Sequence, residues 1–187
     1  MSTVDKVRSQ TSSQLPTILI GAAFLLFAII FAASSNWYSA FLTVHILFVV
    51  LWIGGGLFIT MMALLAERAN DGDQMAQLAK MAAFAGQKIF APAAIVVVVM
   101  GVAMVENADI GFNHFWIGFG LLGFLATFVT GIAVLAPRSK NVSELIQTKG
   151  VNDPETTAAI SSILLIARAD VAMLLLVIVD MVTKPFS

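Results

Sequence analysis

The chain has 187 residues, 59% of them hydrophobic and 11% charged, with a formal net charge of −1 and a mean hydropathy of +0.95. A soluble domain carries about 25% charge, so lipid replaces water around much of this chain, and no basic patch is dense enough for nucleic acid. The absence of cysteine excludes disulfides, thiolate metal sites and cysteine nucleophiles.

A bilayer core about 30 Å thick takes about 20 apolar residues in a helix. After a polar tail over residues 1–14, five runs meet that length: 15–33, 38–65, 89–105, 115–136 and 162–181. They predict one transmembrane domain over 15–187, all-α and polytopic. The first run is uncharged and opens with Pro16. Lys6 and Arg8 precede it and Ala32-Ala33-Ser34 follows, so a cleaved secretory signal is the alternative to a retained span.

The second run holds His45, about two turns in. At 100° per residue His45, Val49, Trp52 and Gly56 share a face, which must turn inward because a lipid-facing imidazole is unsatisfied. Neutral imidazole ligates haem iron, copper or zinc. Met100, Met104, Met181 and Asp180 are candidate co-ligands, and a His/Met set suits haem b or copper. The alternative is a histidine hydrogen-bonded to a neighbouring helix, with the methionines as gap filler. Gly54-Gly55-Gly56 reads as a helix-packing element and a local weak point.

Between the second and third runs, Met75, Leu78, Ala82, Ala85 and Ile89 recur at spacings of three and four, which predicts an interfacial helix leading into span three. Pro92 lies in the first turns of that span. His114 opens the fourth run beside Phe115 and Trp116, a second candidate cofactor ligand or a residue of the membrane boundary. Within that run Gly118, Gly120 and Gly123 match a dinucleotide-binding pattern. In an apolar span, however, such glycines bring helices together. Pro137 is expected to close the fourth span.

Asp153-Pro154-Glu155 reads as cap, first helical position and acidic first turn, so the last helix should run unbroken from Pro154 to about Thr183. It carries Arg168, Asp170 and Asp180, and a charge at the membrane centre costs about 2.5 to 3.5 kcal/mol on insertion scales. Arg168 can snorkel to the headgroups, Asp170 has Lys88 as a candidate partner, and Asp180 has Lys184. Asp170 and Asp180 also admit a small transporter or proton-conducting unit. Nine of the ten basic residues fall on one side of the spans, all but Lys184, which predicts a cytoplasmic N-terminus and an outside C-terminus in a bacterial inner membrane.

The string Val44-His45-Ile46-Leu47-Phe48-Val49-Val50-Leu51-Trp52-Ile53-Gly54-Gly55-Gly56 resembles the opening of an uncharacterised bacterial integral-membrane family related to the copper-resistance D membrane proteins. The similarity continues through Ala91-Pro92-Ala93, Gly101, Pro137-Arg138, Arg168-Ala169-Asp170 and Met181 to Pro185, covering roughly residues 40 to 185. It implies a four-helix membrane core to which the first span is an N-terminal addition. His45 and Trp52 are also similar to the first helix of the membrane protoporphyrinogen oxidases, four-helix proteins that pair the histidine with a lysine in a later span. Here no span holds a lysine. No Ser/His/Asp or paired-carboxylate constellation emerges from the spacing. The expectation is a non-catalytic accessory subunit or redox-associated component, partnered by other membrane-protein subunits or by itself.

Overall fold

A computed structural model describes residues 19–31, 34 and 36–186. These are all-helical, in five elements: α1 (Leu19–Phe31), α2 (Trp37–Ala69), α3 (Gly72–Asn107), α4 (Phe115–Lys149) and α5 (Pro154–Thr183). The last four are long and apolar enough to cross a membrane. The expected first span appears only as the short helix α1 of 13 residues, and 15–18 and 32–33 of that run lie outside the described residues. Thirteen residues span about 20 Å, less than the hydrocarbon core.

Local chemistry sets the helix ends. Asn36 accepts from the Ser39 N–H at 2.7 Å and Asp71 from the Gln74 N–H at 2.9 Å, each satisfying a donor of a first turn. Asp153 caps α5 by accepting from the N–H groups of Glu155 and Thr156, and the helix then runs unbroken to Thr183. Beside this cap, the Glu155 carboxylate bonded to Lys149 raises the lysine ammonium above its ordinary range.

The four long helices of 30 to 36 residues measure about 45 to 54 Å, well beyond a bilayer core. The excess lies at the end carrying Arg68, Lys80, Arg138, Lys140 and Lys149, called the basic end below. Here Met75, Leu78 and Ala79 pack with Ala63, Ala66, Val142, Ile160 and Leu164 in one core. Of the stripe expected to lie on the membrane surface, Met75, Leu78 and Ala85 therefore face protein, while Ile89 is exposed. Helix α3 is continuous from Gly72 through the span, and a straight extension brings this face onto α2 and α4.

Pro137 does not close α4. The helix continues to Lys149, and a π-helical segment, Thr130–Leu135, immediately precedes the proline. Pro92 follows a similar segment, Gly86–Phe90, in α3. Proline lacks an N–H and its ring crowds the carbonyl four residues back. The wider π turn relieves that conflict without ending the helix. A third segment, Val50–Gly54, enters the glycine triplet of α2. The α3 segment touches those of α2 and α4, so the three meet at one level of the bundle.

That level divides the molecule. Below it, toward the basic end, α2, α3, α4 and α5 pack as a closed ring. Above it, α2 packs along α3 and α4 along α5, whereas α3 and α4 meet only sparsely. The two pairs therefore part toward the opposite end.

Candidate functional site

The parting leaves a cleft of about 450 Å³ lined by residues of all four long helices, among them Tyr38, His45, Trp52, Met104, Trp116, Phe124, Met181 and Lys184. Below it lies a chamber of about 150 Å³ that includes Thr60, Phe90, Thr127, Phe128 and Asp170 in its walls. Trp52, Ile53 and Leu174 line both. Trp52 sits in the π segment of α2 and meets Phe124 of α4 edge-to-face at 5.7 Å. It thus forms part of the partition between the two spaces and joins the separated helix pairs.

His45 is half-buried, and its Nδ1 lies 2.8 Å from the Val97 carbonyl of α3. A carbonyl only accepts, so Nδ1 carries the proton and Nε2 is left with its lone pair in the neutral ring. Gly101 flanks the same imidazole, since a Cβ there would stand 3.4 Å from His45 Cε1. Helix α3 thus fixes both tautomer and ring plane. The face expected from periodicity lies inside: His45 and Val49 line the cleft, Gly56 the chamber and Trp52 both.

Of the proposed co-ligands, Met104 and Met181 line the cleft with His45, while Met100 and Asp180 do not. His114 is also apart from it. Its Nε2–H donates to Ile110 O of the preceding turn at 3.1 Å, and its ring stacks near Trp116. Among the described residues no three His, Cys, Asp or Glu side chains come together as a metal site.

The charges of α5 find other surroundings than those expected. Arg168 lies 3.8 Å from Glu67 of α2, both partly exposed. Asp170 is not paired with Lys88, whose side chain faces outward; its Oδ1 is buried and accepts no hydrogen bond. Asp180 is only 6% exposed and its Oδ2 is likewise without a partner. The Lys184 ammonium expected beside it stands instead over the Trp116 ring, 5.0 Å from the centroid. Lys184 adopts a left-handed backbone at the end of α5, which carries its side chain away from the turn below.

Among the candidate packing glycines, Gly55 abuts Phe90, Gly120 abuts Met181 and Gly123 abuts Val177. Gly54, Gly56 and Gly118 face open space. Sequence reasoning read Lys184 as a partner for Asp180 and not as a cleft residue, and it passed over Tyr38 as a cleft residue and the hydroxyls of Thr60 and Thr127. The visible signal for the last two was a small polar residue within an otherwise apolar span.

The family model described as "Predicted integral membrane protein (DUF2269)" matches residues 39–185. No curated protein and no solved structure matches the chain.

Proposed function

We propose, for a chain that belongs to the DUF2269 family of predicted integral membrane proteins, that the cleft holds a haem-like macrocycle whose iron His45 would bind. In this reading the protein is a non-catalytic, redox-associated component of a larger complex in the bacterial inner membrane. The observation that carries the reading is the imidazole itself: Nδ1–H is committed to Val97 O at 2.8 Å, which leaves the Nε2 lone pair for a metal, on a side chain that lines an apolar cleft. A hydrogen bond from the non-ligating nitrogen is how proteins orient and strengthen a histidine ligand.

The cleft's 450 Å³ falls within the roughly 300 to 1,000 Å³ of cofactor and ligand pockets. A macrocycle would supply four iron ligands of its own, so His45 together with Met104 or Met181, which line the same cleft, would hold the iron. A bare copper ion at His45, Met104 and Asp180 is less well supported, because Asp180 is not part of the cleft wall. When bound, a haem supplies one-electron chemistry. The chain's own residues orient the imidazole and exclude water with apolar side chains.

The test is the absorption spectrum and iron content of the chain purified from its native membrane. A Soret band with stoichiometric iron is expected, and His45→Ala should abolish it. A colourless, iron-free protein overturns the reading, as does a band that survives the substitution. Gentle extraction should recover the chain in a species larger than itself; migration alone argues against the complex.

A further inference from the structure

The chamber below Trp52 is distinct from the cleft assigned above, although they share Trp52 in their walls, and three of its polar side chains present oxygen lone pairs. Thr60 Oγ1 donates to Gly56 O at 2.9 Å, and Thr127 Oγ1 donates to Gly123 O at the same distance. With both hydroxyl protons committed to backbone, the lone pairs remain. Asp170 Oδ1, buried and without a hydrogen-bond partner, adds a carboxylate oxygen. These three groups accept, while the Ser139 hydroxyl and the Trp52 indole N–H in the same wall can donate; the one full charge is the Asp170 carboxylate, so the chamber suits a cation and disfavours an anion.

A carboxylate in an apolar membrane interior requires neutralisation or a counter-charge. Among the described residues no cation fills that role: Arg168 is engaged with Glu67, and Lys88 is exposed. A bare proton would neutralise the group but would leave the space beside it unexplained. That space is about 150 Å³, the size of an apolar protein cavity that accommodates benzene. Trp52, Phe90 and Phe128 contribute aromatic walls, and aromatic faces attract cations, quaternary ammonium ions above all. A metal ion would want several oxygen or nitrogen ligands, whereas no cluster of three His, Cys, Asp or Glu occurs among the described residues.

We propose that this chamber binds a small organic ammonium ion of about five to seven non-hydrogen atoms, with the Asp170 carboxylate as its counter-charge and Trp52, Phe90 and Phe128 as its walls. The size follows from the benzene comparison. This proposal does not depend on a cofactor at His45.

The experiment measures binding of radiolabelled tetramethylammonium to the purified full-length chain in nanodiscs. Saturable binding near one ion per chain is expected, weakened at least tenfold by Asp170→Asn and retained by Asp170→Glu. Tert-butanol, similar in shape but uncharged, should not compete. A second readout needs no variant: diisopropylcarbodiimide should modify Asp170, as read by peptide mass spectrometry, and tetramethylammonium should protect it while leaving any modification of Asp180 unchanged. Non-saturable binding to the natural chain overturns the proposal. Equal binding by a folded Asp170→Asn, displacement by tert-butanol, or undiminished labelling of Asp170 at high tetramethylammonium each does so as well.

Discussion

At the scale of single residues, two glycines on α4 show how the same small side chain answers to different neighbours. Gly120 lies against the terminal methyl of Met181, and Gly123 against a γ-methyl of Val177. Alanine in either place gains up to about 1 kcal/mol in helix propensity. Met181 can swing its flexible thioether aside, but the β-branched Val177 has few rotamers to offer. Gly120→Ala should therefore leave stability within about 1 kcal/mol, while Gly123→Ala meets an overpacking cost of about 1 to 3 kcal/mol. Denaturant titration of the two variants in detergent reads the difference; equal stabilities would show that the α4–α5 contact is not close at Gly123.

The α5 charges belong to the same scale. Their presence was plain from the sequence, but their partners were not. Lys184 is one turn from Asp180, and its N–H does bond Asp180 O at 2.8 Å. Its ammonium nevertheless stands over Trp116, a residue of another helix. Sequence proximity restricts which groups can meet, and the packing of the helices selects among them.

At the scale of elements, the π segments before Pro92 and Pro137 matter most. A π turn holds one more residue than an α turn would, so each segment rotates the helix beyond it by about 100° relative to an uninterrupted α-helix. In α4 this rotation sets the direction of Ser139, Val142 and Ser143, all buried in the basic end. Deleting Ile132 should restore α geometry, turn those residues away from the core, and confront Pro137 with the carbonyl the wider turn had relieved. The deletion should lower the melting temperature in detergent by far more than Pro137→Ala, which leaves the register intact. Comparable melting temperatures for the two variants would refute a register role for the segment. The expectation that Pro137 ends the span came from a sound local rule; tertiary packing of the helix beyond it overrides that rule.

For the whole molecule, the defining arrangement is a ring of helices closed at one end and parted at the other. The closed end has both the alanine-rich apolar core and most of the basic residues. The parted end has His45 and the larger cleft. The charge asymmetry is the ground for proposing that the basic end faces the cytoplasm, and the lack of native cysteines makes the orientation easy to measure. A single cysteine in place of Asn113, in the α3–α4 turn, should react with a membrane-impermeant maleimide in intact cells. One in place of Asn152, between α4 and α5, should react only after lysis. The opposite pattern would invert the topology and place the cleft toward the cytoplasm.

The sequence by itself determined the membrane setting, the four long spans of the core though not the short first helix, the N-cap of α5 and the inward face of His45. Each follows from local quantities: apolar run length against bilayer thickness, side chains bonding nearby N–H groups, and the 100° step of a helix. Only the tertiary structure decided that the helix pairs part above the π segments, that Val97 O takes the His45 proton, and that Asp170 stands unpaired beside a chamber. Those features depend on the rotation and spacing of helices distant in the chain. A shift of one residue in a turn changes them while leaving hydropathy almost untouched.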